Sequence, residues 1–591
     1  MNSFMKKASN GKKNKGFLVS ELTEIEKREN ETPFINFYPR PKLKRNNFTI
    51  LNGEWDIEIS KNSDLPAKYL KKVVVPYPIE SPDSLVNHLL EPDEYIFYHR
   101  EIKYDLKDGK RAILHFEGID QTAEIFINNE FVEKHIGGYT SFSLDVTNFL
   151  TKGSFDLSIR VQDVTDQSYH QRGKQTLKPS FCFYSSSSGI YKTVWLEEVP
   201  EKYIYDVAYQ SIFDENGLKI HIKTKEDGNA KISIEGETFV IPTNKDNLIT
   251  LKNVPIWSIT CPNLLNIDIE YCDDVVKTYY AYRKFEVKNG ENRGFFLNNE
   301  KIILNGLLDQ GYYFPNGLTP RSYKDYEFDI LRLKELGFNT IRKHIKVEDE
   351  YFYYLCDKYG MLILQDLPNG GEPYKFISVG FPRLSIKLLN KEKYLNEKNV
   401  GRGNALGNKE FINDSLSIIS KLNNYGCIIG YTIFNEGRGQ FKTSEVYNIL
   451  RPNIKNRFVD LTSGWYQSND NEVFSIHAYT YQTRDRQDIY KDRPYFLSEF
   501  GGLGLKVKDH SLYPGEFSHR GSKTKAALTK KYVGIFNNLI KNLKKGHIAG
   551  MIYTQVADCE TEYNGIFTFD RKILKIDEKI IKEINEKIHP Y

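Results

Sequence analysis

The chain has 591 residues, 40% of them hydrophobic and 27% charged, with 82 basic and 78 acidic side chains. That length calls for three or four domains, or for one large barrel with accessory domains. A net charge of +4 is small for this length and argues against a dedicated nucleic-acid binder, which needs concentrated Lys/Arg charge.

The 40 Tyr and 36 Phe suit packing in β-sheets first and stacking on sugar rings second. The six cysteines include no CxxC pair, so neither a zinc site nor a disulfide framework is expected. The basic N-terminus lacks the apolar run of about 7–15 residues that a secretory signal needs. No stretch approaches the roughly 20 apolar residues of a membrane span. The expectation is a cytoplasmic protein without membrane partners, with residues 1–44 as a mobile tail and lead-in.

Residues 45–200 read as short strands with alternating apolar and polar positions, as at 55–59, 112–116, 123–127, 155–159 and 192–196. Asn128-Asn129 marks a hairpin turn between two such runs. No helical stripe interrupts them, which predicts a β-sandwich or jelly roll. Residues 201–285 continue as strands at 218–222, 231–234 and 266–270, fitting a small immunoglobulin-like sandwich. From 286 to 591 strand-length apolar runs alternate with helical segments, which implies a parallel sheet. Candidate strands lie at 302–307, 338–344, 362–365, 427–434, 458–461, 474–477, 495–497 and 547–553. Candidate helices lie at 323–336, 349–359, 411–422, 444–450 and 525–543, and 368–409 reads as a long loop at the active-site end. Eight βα units of this size predict a (β/α)8 TIM barrel.

Barrel chemistry sits at the C-terminal strand ends. Those ends carry Asp309-Gln310, Arg342 to His344, Gln365-Asp366, Asn435-Glu436, His477 with Tyr479, Ser498-Glu499, and Thr554-Gln555 with Asp558. Polar residues at strand ends also simply meet solvent, but seven of eight strands ending this way is harder to explain so. Glu436 and Glu499 end strands four and seven, which face each other across the mouth. Two carboxylates about 5–5.5 Å apart across a cleft allow one to attack an anomeric carbon while the other protonates the leaving oxygen. Glutamates in barrels also serve phosphate, metal and proton-abstraction chemistry, and the strand-end reading leaves those open.

From about Leu51 to Asp577 the chain resembles glycoside hydrolase family 2, the β-galactosidases, β-glucuronidases and β-mannosidases. Leu51-Asn-Gly-Glu-Trp55, Phe116-Glu-Gly-Ile-Asp120, Ala123 to Asn128, Gly137-Gly-Tyr139, Gly189-Ile-Tyr191 and Trp195-Leu196 look like that family's sugar-binding sandwich. Trp257-Ser258 with Pro262-Asn-Leu264 resembles the close of its immunoglobulin-like domain. Leu304-Asn-Gly306, Leu308 to Gly311, Asn339 to His344, Phe434-Asn-Glu-Gly437 and Phe496 to Gly502 resemble barrel motifs of a bacterial branch.

The resemblance implies Glu436 as acid/base and Glu499 as nucleophile of a retaining exo-β-glycosidase. It implies Asn435 on the sugar 2-hydroxyl and Tyr479 orienting the nucleophile. His344, Asp366 and His477 would bind hydroxyls of the terminal sugar, and Asp309 and Gln555 are further substrate-binding candidates. Trp465 is a candidate aromatic wall or a packed loop residue. Relatives usually carry Trp where Arg438 stands. Arg438 is expected to face solvent or a loop aspartate, although on Glu436 it would oppose the acid role. Asp570-Arg-Lys572 replaces the Asn-x-Lys element with which β-glucuronidases of this family bind the sugar carboxylate. A β-galactosidase-like neutral-sugar specificity is therefore expected. Alternatives are a β-mannoside, an α-L-arabinoside or a β-uronide by the same mechanism, or a non-catalytic carbohydrate-binding protein. No cofactor and no metal are expected, since no ligand cluster is dense enough to predict one. The substrate is an oligosaccharide or glycoside, and the front sandwiches offer surfaces for a homo-oligomer.

Overall fold

The computed structural model describes residues 38–150, 153–375, 395–479, 492–512 and 518–589. The tail expected at 1–44 lies outside the described residues up to residue 37, as does 376–394 of the expected long loop.

The first sandwich packs a four-stranded sheet on a six-stranded one. The smaller sheet is ordered Phe48–Ile50, Val194–Pro200, Lys110–Phe116, Phe142–Asp145. The larger runs Lys71–Val75, Gly53–Ser60, Tyr95–Lys103, Ser154–Gln162, Thr122–Ile127, Glu130–Ile136. Every pairing in both is antiparallel. Alternation buries Trp55, Ile57, Leu114, Ile125, Leu157 and Ile159 between the sheets. Asn128 and Asn129 have φ of 52° and 67°, the conformation of a two-residue turn whose twist matches the flanking strands.

Seven further strands form a three-stranded and a four-stranded sheet over residues 204–280. That number is the seven of a constant-type immunoglobulin sandwich. Its core of Ile220, Ile222, Ile232, Ile234, Ile267 and Ile269 is separate from the first. We propose domain boundaries near residues 200 and 285, between these cores and that of the barrel.

The barrel strands are β1 Leu304–Asp309, β2 Thr340–Lys343, β3 Leu362–Asp366, β4 Ile428–Asn435, β5 Phe458–Ser463, β6 Phe474–Ala478, β7 Tyr495–Gly501 and β8 Gly550–Thr554. All are parallel, in the order β5-β4-β3-β2-β1-β8-β7-β6. The seam between β5 and β6 has no backbone ladder among the described residues, and side chains stitch it. Ser475 donates to Asp460 at 2.7 Å and lies 3.2 Å from Ser463.

Helices α1 Tyr323–Glu335, α2 Glu350–Tyr359, α3 Ala405–Leu422, α4 Thr443–Leu450, α5 Lys525–Lys544 and α6 Glu578–Ile588 surround the barrel. Five match the sequence reading, with α3 starting earlier because the Asn404 side chain caps it. The sequence reading lacks α6, although Ile581, Ile584 and Ile588 give it a buried stripe. No described helix is long and apolar enough to cross a membrane. A hairpin of Gly294–Leu297 and Glu300–Ile302 closes the barrel bottom, setting Phe295 among Phe285, Phe458 and Phe496.

Candidate active site

The open end of the barrel gathers charge around one buried guanidinium. Arg342 of β2 is fully buried, and its Nε donates to Asp366 Oδ1 at 2.9 Å. Its other nitrogens donate to Asn435 Oδ1 and Ser498 O at 2.9 Å each, and to Glu499 Oε1 at 3.2 Å. A charged residue inside an apolar strand has to find such partners, because an unpaired buried charge costs several kcal/mol. Arg342 thereby ties the ends of β2, β3, β4 and β7 together.

Glu499 extends from β7. Its Oε2 accepts from Tyr479, whose hydroxyl is also 3.1 Å from Thr554. Burial, together with the nearby Glu436 charge, pushes the Glu499 carboxyl up. His477, Arg342 and His344 outweigh this and hold it below its ordinary value. Burial, then the Glu499 charge, raises Tyr479 well above the usual phenol range, so it remains a proton donor.

Glu436 directly follows β4 at φ 55°, a backbone conformation that costs about 1–2 kcal/mol for a non-glycine residue. Its N–H donates to Ser463 O at 2.9 Å, continuing the β4–β5 register past the strand. His477 Nδ1 donates to Glu436 Oε1 at 2.9 Å, while Nε2 lies 3.1 Å from Ser463. Gly464 makes room for that imidazole, since a Cβ there would lie 2.8 Å from the ring. Nearest atoms of Glu436, His477 and Glu499 all lie within 4.8 Å of one another. Two carboxylates and an imidazole would also chelate a divalent cation. Here Arg342 and Arg438 already hold the two carboxylates, and their positive field opposes a metal ion between them.

His344 Nδ1 donates to Asp366 Oδ2 at 2.6 Å. Burial, then the Lys174 charge, lowers His344 to about 4, so its ring is neutral near pH 7. Trp465, half-buried, packs edge-on against His477 with centroids 5.8 Å apart.

Of the sequence-predicted residues, the structure thus brings Glu436, Glu499, Asn435, His344, Asp366, His477, Tyr479 and Trp465 together. Among the described residues, Asp309 and Gln555 make no bond to either carboxylate of the pair. Asp309 accepts from Lys343, inside a buried network with Glu348 and Lys346. Gln555 accepts from Gln310 at 2.8 Å and donates to Asn564 at 2.7 Å, so both ends of its amide are used within the fold. The expectation for Arg438 is corrected. Arg438 is 8% exposed and forms an ion pair with Glu436, a terminal nitrogen 3.1 Å from Oε2, its guanidinium 4.9 Å from the Phe183 ring. The turn Glu436-Gly437-Arg438, with Gly437 at φ 72°, folds the arginine back onto the carboxylate instead of outward.

Sequence reasoning also missed a wall contributed by the first sandwich. Residues 165–188 leave that sandwich and lie along the barrel mouth. Gly173 N–H donates to Asn369 O at 2.7 Å, and Arg402 donates to Gln171 at 2.9 Å. Tyr184 donates to Glu562, and Ser185 N–H to Glu560 at 2.8 Å. This strap carries Lys174, only 7% exposed, whose ammonium lies 5.6 Å from the Tyr184 ring centre. The contacts join positions as far apart as 378 residues, and nothing local in the sequence announces them.

Residues 48–200 match the family description "Glycosyl hydrolases family 2, sugar binding domain". The chain is similar to a putative β-glucuronidase of Formosa agariphila, 23% identical over 69% of this chain and 50% of that one. It is similar to a β-galactosidase of Thermoanaerobacter pseudethanolicus, 28% identical over 49% of this chain and 43% of that one. A β-galactosidase of Actinobacillus pleuropneumoniae is 23% identical over 77% of this chain and 48% of that one. The chain thus spans about half the length of the curated relatives it matches. In fold it resembles the β-glucuronidase of Ruminococcus gnavus, with a TM-score of 0.71 at 16% identity over 93% of this chain and 100% of that one. It equally resembles a β-galacturonidase of Eisenbergiella tayi, with a TM-score of 0.70 at 17% identity over 93% and 98%.

Proposed function

From a chain that belongs to glycoside hydrolase family 2, we propose a retaining exo-β-glycosidase with Glu499 as nucleophile and Glu436 as acid/base. The observation that carries this reading is the approach of Glu436 and Glu499 to within 4.8 Å across the mouth. That close approach favours direct attack over the inverting arrangement, whose carboxyls stand about 6.5–9.5 Å apart.

In the first half-reaction a Glu499 oxygen bonds to the anomeric carbon, the bond to the aglycone oxygen breaks, and Glu436 gives that oxygen its proton. In the second, Glu436 takes a proton from water, the water oxygen bonds to the anomeric carbon, and the ester to Glu499 breaks. Glu499 is suited to its part because His477 and Arg342 beside it hold its carboxyl below the ordinary value and so keep it ionised. Tyr479 and Arg342 fix its two oxygens, so little reorganisation precedes attack. Asn435, whose side chain Arg342 holds, is assigned to the sugar 2-hydroxyl in this reading. With Nδ1 of His344 committed to Asp366, Nε2 is the nitrogen left for a sugar hydroxyl.

The glycone is proposed to be a neutral β-linked sugar, with β-galactoside first. In the turn that stands for the Asn-x-Lys element, Asp570 accepts from His510 and Thr568, and Arg571 binds Asp329. A panel of nitrophenyl glycosides tests the reading. Turnover of one glycone that collapses in Glu499→Gln, with azide rescue of Glu436→Ala, supports it. Absence of turnover on every glycone with sugar binding intact replaces it by the non-catalytic alternative.

A further inference from the structure

Glu436 has to give up a proton in the first half-reaction, yet in the empty site it is ion-paired. Burial works to raise its carboxyl, but the Arg438 charge, then the His477 hydrogen bond, hold it well below the usual carboxylate range. The groups around it are Arg438 from its own turn, His477 from β6, Tyr479 just beyond β6, Glu499 from β7, and Lys174 from the strap. This form of Glu436 suits the second half-reaction and opposes the first. A ligand that engages Arg438 would relieve the opposition.

Two features show what such a ligand would be. Arg438 is almost wholly buried, and its Nε has no acceptor among the described residues. Lys174 is also almost wholly buried, and no described carboxylate or carbonyl accepts from its ammonium. Buried cations are normally matched by anions, because leaving one unpaired is costly. Glu436 is the one carboxylate in ion-pair contact with Arg438 among the described residues, with Cys182 beside it, and Lys174 has no carboxylate in direct contact, the Glu562 and Glu436 charges acting on it only from farther off. Lys174 is carried by the strap, and Phe183 of the same strap lies beneath the Arg438 guanidinium; both cations act on Glu436. Glu436, to which Arg438 is bonded, is the group that meets the leaving oxygen. The sugar-binding candidate His344 lies 4.0 Å from Glu499 instead, and Arg342 links Asp366 to Glu499.

We infer that Arg438 and Lys174 form an anion-binding site on the leaving-group side of the catalytic pair, so that the natural substrate is a β-glycoside whose aglycone carries a carboxylate or sulfate. Such a group takes Arg438 as its partner and draws it from Glu436, which then takes up a proton from solvent water and holds it for the leaving oxygen. A neutral aglycone leaves the ion pair intact and reacts slowly. Arg438 acts on the chemistry through Glu436 and is a positioning residue in that respect, while Lys174 selects.

The inference rests on the glycosidase reading, and its test separates the two. kcat/KM is measured for a phenyl glycoside of the accepted sugar, for the same glycoside with a carboxylate on the phenyl ring, and for the phenyl uronide, whose charge lies on the sugar and not on the aglycone. Wild type, Lys174→Met, Arg438→Met and Arg438→Lys are compared. The carboxylated aglycone is expected to be preferred by about tenfold or more. Both Met variants lose the preference and Arg438→Lys keeps part of it. On the neutral aglycone, the alkaline limb of the pH profile moves upward in Arg438→Met, because removing the guanidinium lets Glu436 keep its proton to higher pH. Equal rates on the two phenyl glycosides overturn the inference, as does a preference that survives both Met substitutions, an unmoved limb, or a preference for the uronide alone. If wild type turns over none of them, the hydrolase reading has failed separately. Calorimetric titration with the carboxylated glycoside then decides. Binding weakened about tenfold in both Met variants sustains the anion site, and unchanged binding removes it.

Discussion

At the bottom of the barrel Phe285, Phe295, Phe458 and Phe496 stack as rings 5.1–6.4 Å apart. At the mouth, one strand length away, Arg342, Asp366, Glu499, His477 and Glu436 form a chain of charge-assisted contacts. The same eight strands carry both. Apolar rings pack without direction and need only the right volume. Buried charges are stable only when every partner is present and aimed. Substitutions at the two ends should therefore fail differently: at the bottom by loss of stability with chemistry intact, and at the mouth by loss of chemistry.

The sharpest separation is expected from Glu499→Gln. It removes the charge proposed to attack the anomeric carbon while an amide keeps hydrogen-bonding capacity toward Arg342 and Tyr479. kcat should fall by roughly four or more orders of magnitude, with the thermal midpoint within a few degrees of wild type. A variant that keeps a hundredth of wild-type kcat would remove Glu499 from the role of nucleophile. The matched change below is Phe295→Ala. It empties the centre of the ring cluster and should cost about 3–5 kcal/mol of stability, read by denaturant unfolding. At a temperature where the protein stays folded, kcat and KM should be those of wild type. A large change in kcat would show that the two ends are mechanically coupled.

That contrast also explains what the sequence made legible. The bottom and the sheets are written in local patterns. Alternation at 55–59 and 112–116, the Asn128-Asn129 turn and the apolar runs of β3 and β4 each specify their element with a few neighbouring residues. Glu436 and Glu499 were legible because strand ends and motif neighbours mark them. The rest of the mouth depends on which side chains meet, and sequence position does not encode this. Asp309 and Gln555 end strands as Glu436 nearly does, yet Lys343 claims one and Gln310 with Asn564 the other. Arg438 stands two residues from Glu436, but only the left-handed turn at Glu436 and Gly437 brings it back. Lys174 reaches the site from another sandwich. The signal for Arg342 was present, because an arginine in an apolar strand demands partners. The signal for α6 was the isoleucine spacing.

A smaller break at the mouth follows from Gly464→Ala. The residue has φ 86°, and the added Cβ would press on the His477 ring at 2.8 Å. Displacing that ring by a fraction of an ångström takes Nδ1 off Glu436. The expected result is a drop in kcat of up to about a hundredfold and a stability loss of about 1–3 kcal/mol. If only stability changes, His477 supports the fold and does not position Glu436.

The mildest case is Trp465, where the two kinds of packing meet in one residue. Its ring is apolar, like those of the bottom plug, but it lies at the mouth, edge-on to His477 and half-buried. As a plug residue it would contribute chiefly to stability. As a wall for the sugar it would contribute to binding, since the exposed part of an indole can lie against the apolar face of a sugar ring. An aromatic contact of this kind is worth about 0.5–1.5 kcal/mol beyond its buried area, so Trp465→Ala should raise KM about two- to tenfold. Nothing about the indole touches the proton or the nucleophile, so kcat should stay near wild type, and Trp465→Phe should recover most of the binding. A fall in kcat with KM unchanged would mean that the ring serves His477, making Trp465 a support of the acid/base and not a wall of the sugar site.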